Sequence, residues 1–260
     1  MTLQDADTQW IELDGAVNAR AVVPGVLLRS DNLQDLSERD VSELVGEHRL
    51  EVVLDLRTEV EVTLEGPGPL ISESRVRVAH HSLYPSQGNT DVDADTIKPG
   101  TRPWGSDDAV SLPDETPLVR AYLGYMYSRP DSVVAAVREI ATADGATLVH
   151  CAAGKDRTGT IVAVALEASG ATRELIAEDY LASGERIEQI MERLCSSDTY
   201  RQELEGHDPQ RHAPVPGTIE RVLEIVDAQH GGAAGWLLAN GLTETELALL
   251  RERLAPAVGS

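Results

Sequence analysis

One stretch restricts this chain more than any other: His150-Cys151-Ala152-Ala153-Gly154-Lys155-Asp156-Arg157-Thr158-Gly159. Before it, residues 146–149 are short, mostly apolar and β-branched at two positions, the pattern of a buried strand. After it, residues 160–168 are apolar on nearly every face, the pattern of a buried helix. The stretch between is therefore a tight loop running into a helix start. A helix start offers unpaired N–H groups and a partial positive charge, which together make an anion site.

The residues in this loop suit one kind of chemistry. A thiol at a helix start beside cationic groups ionises readily, and the thiolate is the nucleophile, so Cys151 is the expected attacking group. Arg157 carries a planar fork that holds two oxygens of an anion. Gly154 lets the backbone turn so that the N–H groups of Ala152, Ala153, Gly154 and Lys155 face inward. Thr158 is expected to donate its hydroxyl to the thiolate. Two plainer readings compete. Free cysteine is among the most buried residue types, but an inert core cysteine does not account for the Arg, Lys and two Gly crowded around this one. A nucleotide-binding loop needs Gly-Lys followed by Ser or Thr, with a second Gly further upstream. Here Asp156 follows Lys155 and Val149 holds the upstream position.

His-Cys-x-x-Gly-Lys-Asp-Arg-Thr-Gly resembles the Cys-x5-Arg signature of the cysteine-dependent phosphatases. Its Lys-Asp narrows the resemblance to the bacterial tyrosine-phosphatase family typified by a mycobacterial tyrosine/lipid phosphatase. Further segments agree in order: Gly15-Ala16-Val17-Asn18-Ala19-Arg20, Pro24-Gly25-Val26-Leu27-Leu28-Arg29-Ser30 and Val53-Leu54-Asp55-Leu56-Arg57. Ala19 and Ala21 depart from that family's usual Phe and Asp. The resemblance implies hydrolysis of phosphate monoesters through a cysteinyl-phosphate, with Cys151 as nucleophile and Arg157 on the phosphoryl oxygens. No metal or cofactor is implied. The substrate is then a phosphorylated protein, phosphotyrosine with dual specificity open, or alternatively a phosphoinositide. A phosphate-binding module without turnover and a sulfur-transfer or arsenate-reducing enzyme are the remaining alternatives.

The proton for the leaving oxygen has two candidate sources. Asp114, beside Glu115, lies in the window where many tyrosine phosphatases carry their acid, and Asp156 lies inside the loop itself. A carboxyl beside a bound phosphate is kept protonated by like-charge repulsion, which suits a proton donor, so Asp156 is preferred. Lys155 adds positive charge at the rim.

The formal net charge of −22 argues against a nucleic-acid partner and against strong attachment to anionic membranes. Two cysteines, Cys151 and Cys195, give no disulfide framework. No apolar run reaches the roughly 18 residues of a membrane span, and residues 1–7 lack the pattern of a signal peptide. A cytoplasmic protein is expected, with export independent of a signal peptide left open. The sequence does not fix an oligomeric state.

The remaining pattern predicts an α/β fold: a mostly parallel central sheet flanked by helices, with a helical C-terminal half, in one domain over residues 1–260. Residues 1–13 read as frayed. Residues 25–30, 50–56 and 76–83 read as strands. Ser37 caps a helix with Asp40 three residues on, and Thr243 with Glu246 caps the last one. Pro130 divides two helices. Residues 84–116, rich in Pro, Gly and acids, read as a flap over the site. Within it, residues 91–95 mimic a calcium loop that lacks the required Gly and final Glu. Arg57, at the C-terminal end of a central strand, is expected to shape the mouth of the site, against a purely structural ion pair with Asp55. His80 and His81 point to opposite faces and read as structural, and Cys195 reads as core.

Overall fold

The computed structural model describes residues 8–85 and 112–258, with side chains as far as Ala255. Most of the expected flap, including residues 91–95, lies outside the described residues, as do residues 1–7. Six strands form one sheet: β1 (Gln9–Trp10), β2 (Arg20–Val23), β3 (Leu27–Ser30), β4 (Leu50–Asp55), β5 (Arg77–His80) and β6 (Ala146–His150). Their order is β1-β2-β3-β6-β4-β5. β3, β6, β4 and β5 run parallel, and β1 and β2 add an antiparallel edge. The last strand in sequence therefore enters the middle of the sheet. Its final residue, His150, pairs with Ser30 on one side and Asp55 on the other. An open parallel sheet binds its ligands beyond the C-terminal strand ends, at such a switch in strand order.

Side-chain alternation along the strands divides the core into two layers. Leu27, Val52, Leu54 and Val149 pack on one face, beneath α3 (Pro117–Ser128), α4 (Pro130–Thr142), α5 (Asp156–Ser169), α9 (Thr218–His230), α10 (Gly232–Ala239) and α11 (Glu244–Val258). Leu28, Leu50, Val53 and Leu148 pack on the other, beneath α1 (Glu38–Gly46). α5 is buried on nearly every face, as its apolar run predicts. A third, smaller cluster joins Ala152 to α7 (Ile187–Ser196) and α8 (Asp198–Leu204). It puts the apolar stripe Ile187, Ile190, Met191 and Leu194 beside the loop, with Cys195 partly buried at its edge.

Several local signals act as expected. Ser37 and Asp40 form a reciprocal capping box, Thr243 and Glu246 form another, and Pro130 opens α4 at its first turn. The structure also departs from the pattern. Gln9–Trp10, inside the stretch expected to fray, pairs with β2. β5 is shorter than expected and ends at His80, where the N–H of His81 makes the last ladder bond to the carbonyl of Asp55. α2 (Glu59–Glu65), α6 (Arg173–Ala182) and α8 complete the helices; α2 and α8 are too short for apolar periodicity to reveal. Among the described residues, no helix is long and apolar enough to cross a membrane.

Candidate active site

Cys151 follows directly on β6 and is 2% exposed, at the bottom of a cavity of about 370 Å³. Three successive carbonyls of the loop are tied outward. Ala152 O accepts from the N–H of Asn32 at 3.0 Å. Ala153 O accepts from Asn18 Nδ2 at 2.9 Å, and Gly154 O from Arg29 Nη2 at 2.7 Å. With the carbonyls held on the convex side, the N–H groups are left to the concave side, as an anion nest requires. Gly154 has φ +66°, and a Cβ there would stand 2.3 Å from Ser30 O, so no side chain fits.

The groups that hold the carbonyls are themselves held. Asp31 accepts the backbone N–H of Asn18 at 3.0 Å. Arg20 binds Asn18 Oδ1 at 2.6 Å. Asp179 of α6 ion-pairs with both Arg20 and Arg29. Burial, then the neighbouring Arg29, brings the pKa of Arg20 down to about 9 against the pull of Asp179, so it remains charged at neutral pH.

Arg157 lies in the first turn of α5. Its Nη1 and Nη2 hold Oε2 and Oε1 of Glu61 at 2.5 and 2.9 Å. Among the described residues the Nε–H and the second hydrogen of Nη2 have no partner. The ring of Tyr84 covers the guanidinium at 5.8 Å. Burial works against the charge of Arg157, but Glu61 and the adjacent Cys151 sulfur outweigh it and hold it firmly protonated. Glu61 is fully buried and also accepts from the backbone N–H of Thr58 at 2.7 Å, closing the capping box that starts α2.

Asp156, the first residue of α5, lines the same cavity. Its Oδ1 accepts a hydrogen bond from the hydroxyl of Tyr122 and lies 3.5 Å from Lys155 Nζ. Lys155 is buried rather than splayed at the rim, with its ammonium also bonded to the carbonyl of His212. Asp114 sits exposed in the turn before α3 and is not among the described residues that line the cavity.

Two expected contacts differ. The hydroxyl of Thr158 is buried and has no hydrogen-bond partner among the described residues, Cys151 included. Arg57 does not line the mouth. Its guanidinium is buried against Asp55, with Nε–Oδ1 at 2.9 Å and Nη2–Oδ2 at 2.6 Å, and the same Nη2 reaches Gly66 O at 3.1 Å. Burial opposes the Asp55 charge, yet His150 and Arg57 hold its carboxyl well below the usual range. Burial drives His150 down to about 4 despite Asp55 at 3.6 Å, so the imidazole is neutral at pH 7. His80 Nε2 meets Arg57 O at 2.7 Å, which accords with the structural role expected of it.

Glu61, Asn18, Arg20, Arg29, Asp179 and Tyr122 take roles here that the sequence alone did not assign. For Glu61 a signal was present: Thr58-x-x-Glu61 is itself a capping-box pattern. Asn18, Arg20 and Arg29 stood in the segments that carried the resemblance.

A sunken cysteine under an amide nest, faced by a buried arginine at the end of a parallel sheet, defines a cysteine-dependent phosphatase site. The comparisons with known proteins are specific on this point. The model of the tyrosine phosphatase family matches residues 12–256, and this chain belongs to that family. It is 30% identical over 211 residues to the triple specificity protein phosphatase PtpB of Mycobacterium tuberculosis, covering 75% of this chain and 74% of that one. It is 28% identical over 251 residues to a tyrosine-protein phosphatase of Nostoc commune, covering 93% and 78%. The crystal structure of P. aeruginosa TpbA superposes with a TM-score of 0.39 at 16% identity, over 81% of this chain and 96% of the other, too loosely to add to the assignment. The chain is thus a cysteine-dependent enzyme acting on phosphorylated substrates.

Proposed function

We propose that this phosphatase hydrolyses phosphotyrosine in proteins, with phosphoserine and phosphothreonine as further substrates, through a cysteinyl-phosphate. The Cys151 thiolate attacks phosphorus. The P–O bond to the alcohol breaks, and Asp156 gives its proton to the departing oxygen. Water then attacks the phosphocysteine, Asp156 takes a proton from it, and the S–P bond breaks to release phosphate. Arg157 and the loop N–H groups hold the phosphoryl oxygens throughout. The observation that carries this reading is the outward tethering of three loop carbonyls around a buried Cys151.

Support for an aryl ester comes from the walls, which include Tyr84, Tyr125 and the apolar stripe of α7. Support for Asp156 as the acid is its place on the cavity wall, which exposed Asp114 does not share. A second reading, a phosphoinositide substrate, is favoured by Lys155 and Arg211 lining the same cavity, where they could meet a second phosphate. A free nucleophilic thiol suits a reducing compartment such as the cytoplasm. Turnover of p-nitrophenyl phosphate that disappears in Cys151→Ser tests the reaction. A panel of phosphopeptides against phosphoinositides tests the substrate, and faster hydrolysis of the lipids would transfer the assignment to the second reading.

A further inference from the structure

Asp156 is held by a hydrogen-bonded pair of buried phenols. Tyr122 of α3 and Tyr180 of α6 are 0% and 1% exposed. The hydroxyl of Tyr122 donates to Asp156 Oδ1, and the two phenolic oxygens are 2.9 Å apart. A phenol has one hydrogen. Since that of Tyr122 is at Asp156, Tyr180 must be the donor to Tyr122. The rings meet edge to face at 6.1 Å. Tyr180 in turn presses on the turn that follows Arg157: a Cβ at Gly159 would stand 3.2 Å from its Cδ2.

Resting on the reading of Asp156 as the proton donor, we infer that Tyr122, backed by Tyr180, is a positioning residue for that step. Both contacts to the carboxyl, from Tyr122 and from Lys155, fall on Oδ1. A carboxyl whose Oδ1 is accepting hydrogen bonds carries its proton on Oδ2, which makes Oδ2 the oxygen that gives the proton up. The phenol itself does not compete as the acid: burial first, and then the charge of Asp156, keep Tyr122 protonated far above its ordinary range. Ring burial alone would not need these hydroxyls. In a chain without phenylalanine a tyrosine can serve as plain filler, but a buried hydroxyl is costly unless bonded, and both of these are bonded in a line that ends on Asp156.

The two roles separate by leaving group. p-Nitrophenolate departs with little help from a proton, whereas phenolate needs one. Second-order rate constants for p-nitrophenyl phosphate and phenyl phosphate, measured across pH for Tyr122→Phe, Tyr180→Phe and Asp156→Asn, test the inference. In Tyr122→Phe the loss on phenyl phosphate should exceed that on p-nitrophenyl phosphate by about tenfold, the worth of a hydrogen bond to a charged group. Its basic limb should move to higher pH, because the carboxylate has lost a donor. Tyr180→Phe keeps Tyr122 in place and should show the same signs, smaller. Equal losses on both substrates with an unmoved limb, in phenylalanine variants that melt as the parent does, would leave the phenols a purely structural role and overturn the inference while Asp156→Asn still shows the selective loss. If Asp156→Asn itself loses equally on both substrates and keeps the basic limb, the acid assignment fails and the inference falls with it. Should Tyr122→Phe not fold, Tyr180→Phe decides alone: a selective loss supports the inference and its absence ends it.

Discussion

Two buried arginine–carboxylate pairs lie near the C-terminal end of the sheet, and they do different work. Arg57 and Asp55 are two residues apart on the end of β4, bonded in a closed, two-pronged pair with no face on the cavity. Arg157 and Glu61 are 96 residues apart, and Arg157 lines the cavity. The first pair ties the strand end and the Gly66 turn together. The second holds a cation at the cavity wall, where the proposed mechanism puts the phosphoryl group. Both guanidiniums keep a donor without a partner among the described residues, Arg57 at its buried Nη1, so what separates the two pairs is that only Arg157 lines the cavity.

Four measurements would break or sharpen that contrast. The largest effect is expected from Arg57→Ala, which strands Asp55 in the interior and should cost about 3–5 kcal/mol of stability. Turnover per folded molecule should stay close to that of the parent, read by denaturant melts beside activity. A specific loss of turnover without loss of stability would return Arg57 to the mouth of the site. Next, Arg157→Ala should slow kcat/KM per folded molecule at least about a hundredfold, roughly 3–4 kcal/mol; it also strands buried Glu61, so the rate is read against the folded fraction. A near-normal rate would remove the arginine from the mechanism.

A pH effect of about 3 kcal/mol follows from His150. Its folded pKa, about 4, lies below the ordinary 6.5. Between those values the unfolded chain takes up a proton that the folded one refuses, so stability is whole above pH 6.5 and falls as the pH drops toward 4. Urea melts from pH 7 to 4 should show this slope. A His150→Gln variant with the same slope would show that another group is responsible. The smallest effect is expected from Glu61→Gln, which keeps an acceptor but removes the charge that fixes Arg157. It should lower turnover by about tenfold, roughly the value of one charged hydrogen bond, while Cys151 still becomes phosphorylated. A variant that binds phosphate and turns over as the parent does would show that the loop alone orients Arg157.

Local rules carried far along the chain where the deciding contacts are local. The capping boxes at Ser37 and Thr243, the Pro130 boundary and the strand–loop–helix around Cys151 each depend on residues within a turn or two of one another. Thr158 shows the limit of such reasoning. Its position after Arg157 suggested a bond to the sulfur, but its hydroxyl lies in the buried first turn of α5 without a partner among the described residues. Arg57 shows another: its place at a strand end suggested the mouth of the site, and the nearer Asp55 captured it. Glu61 was written in a capping-box pattern, but nothing local says that its other partner is Arg157.

The sequence by itself determined the chemistry of this protein: a cysteine and an arginine joined by a glycine-containing loop at a helix start, which is enough to specify an anion site with a nucleophile in it. Only the tertiary structure decided how that loop is held. Asn18 and Arg29 reach it from distant segments, Asp179 holds Arg29, Glu61 fixes its arginine, and Tyr122 and Tyr180 secure its aspartate. The reason is that nucleophilicity and charge are carried by single residues and short spacings. Orientation is imposed by buried partners, whose identity depends on β6 entering the sheet between β3 and β4.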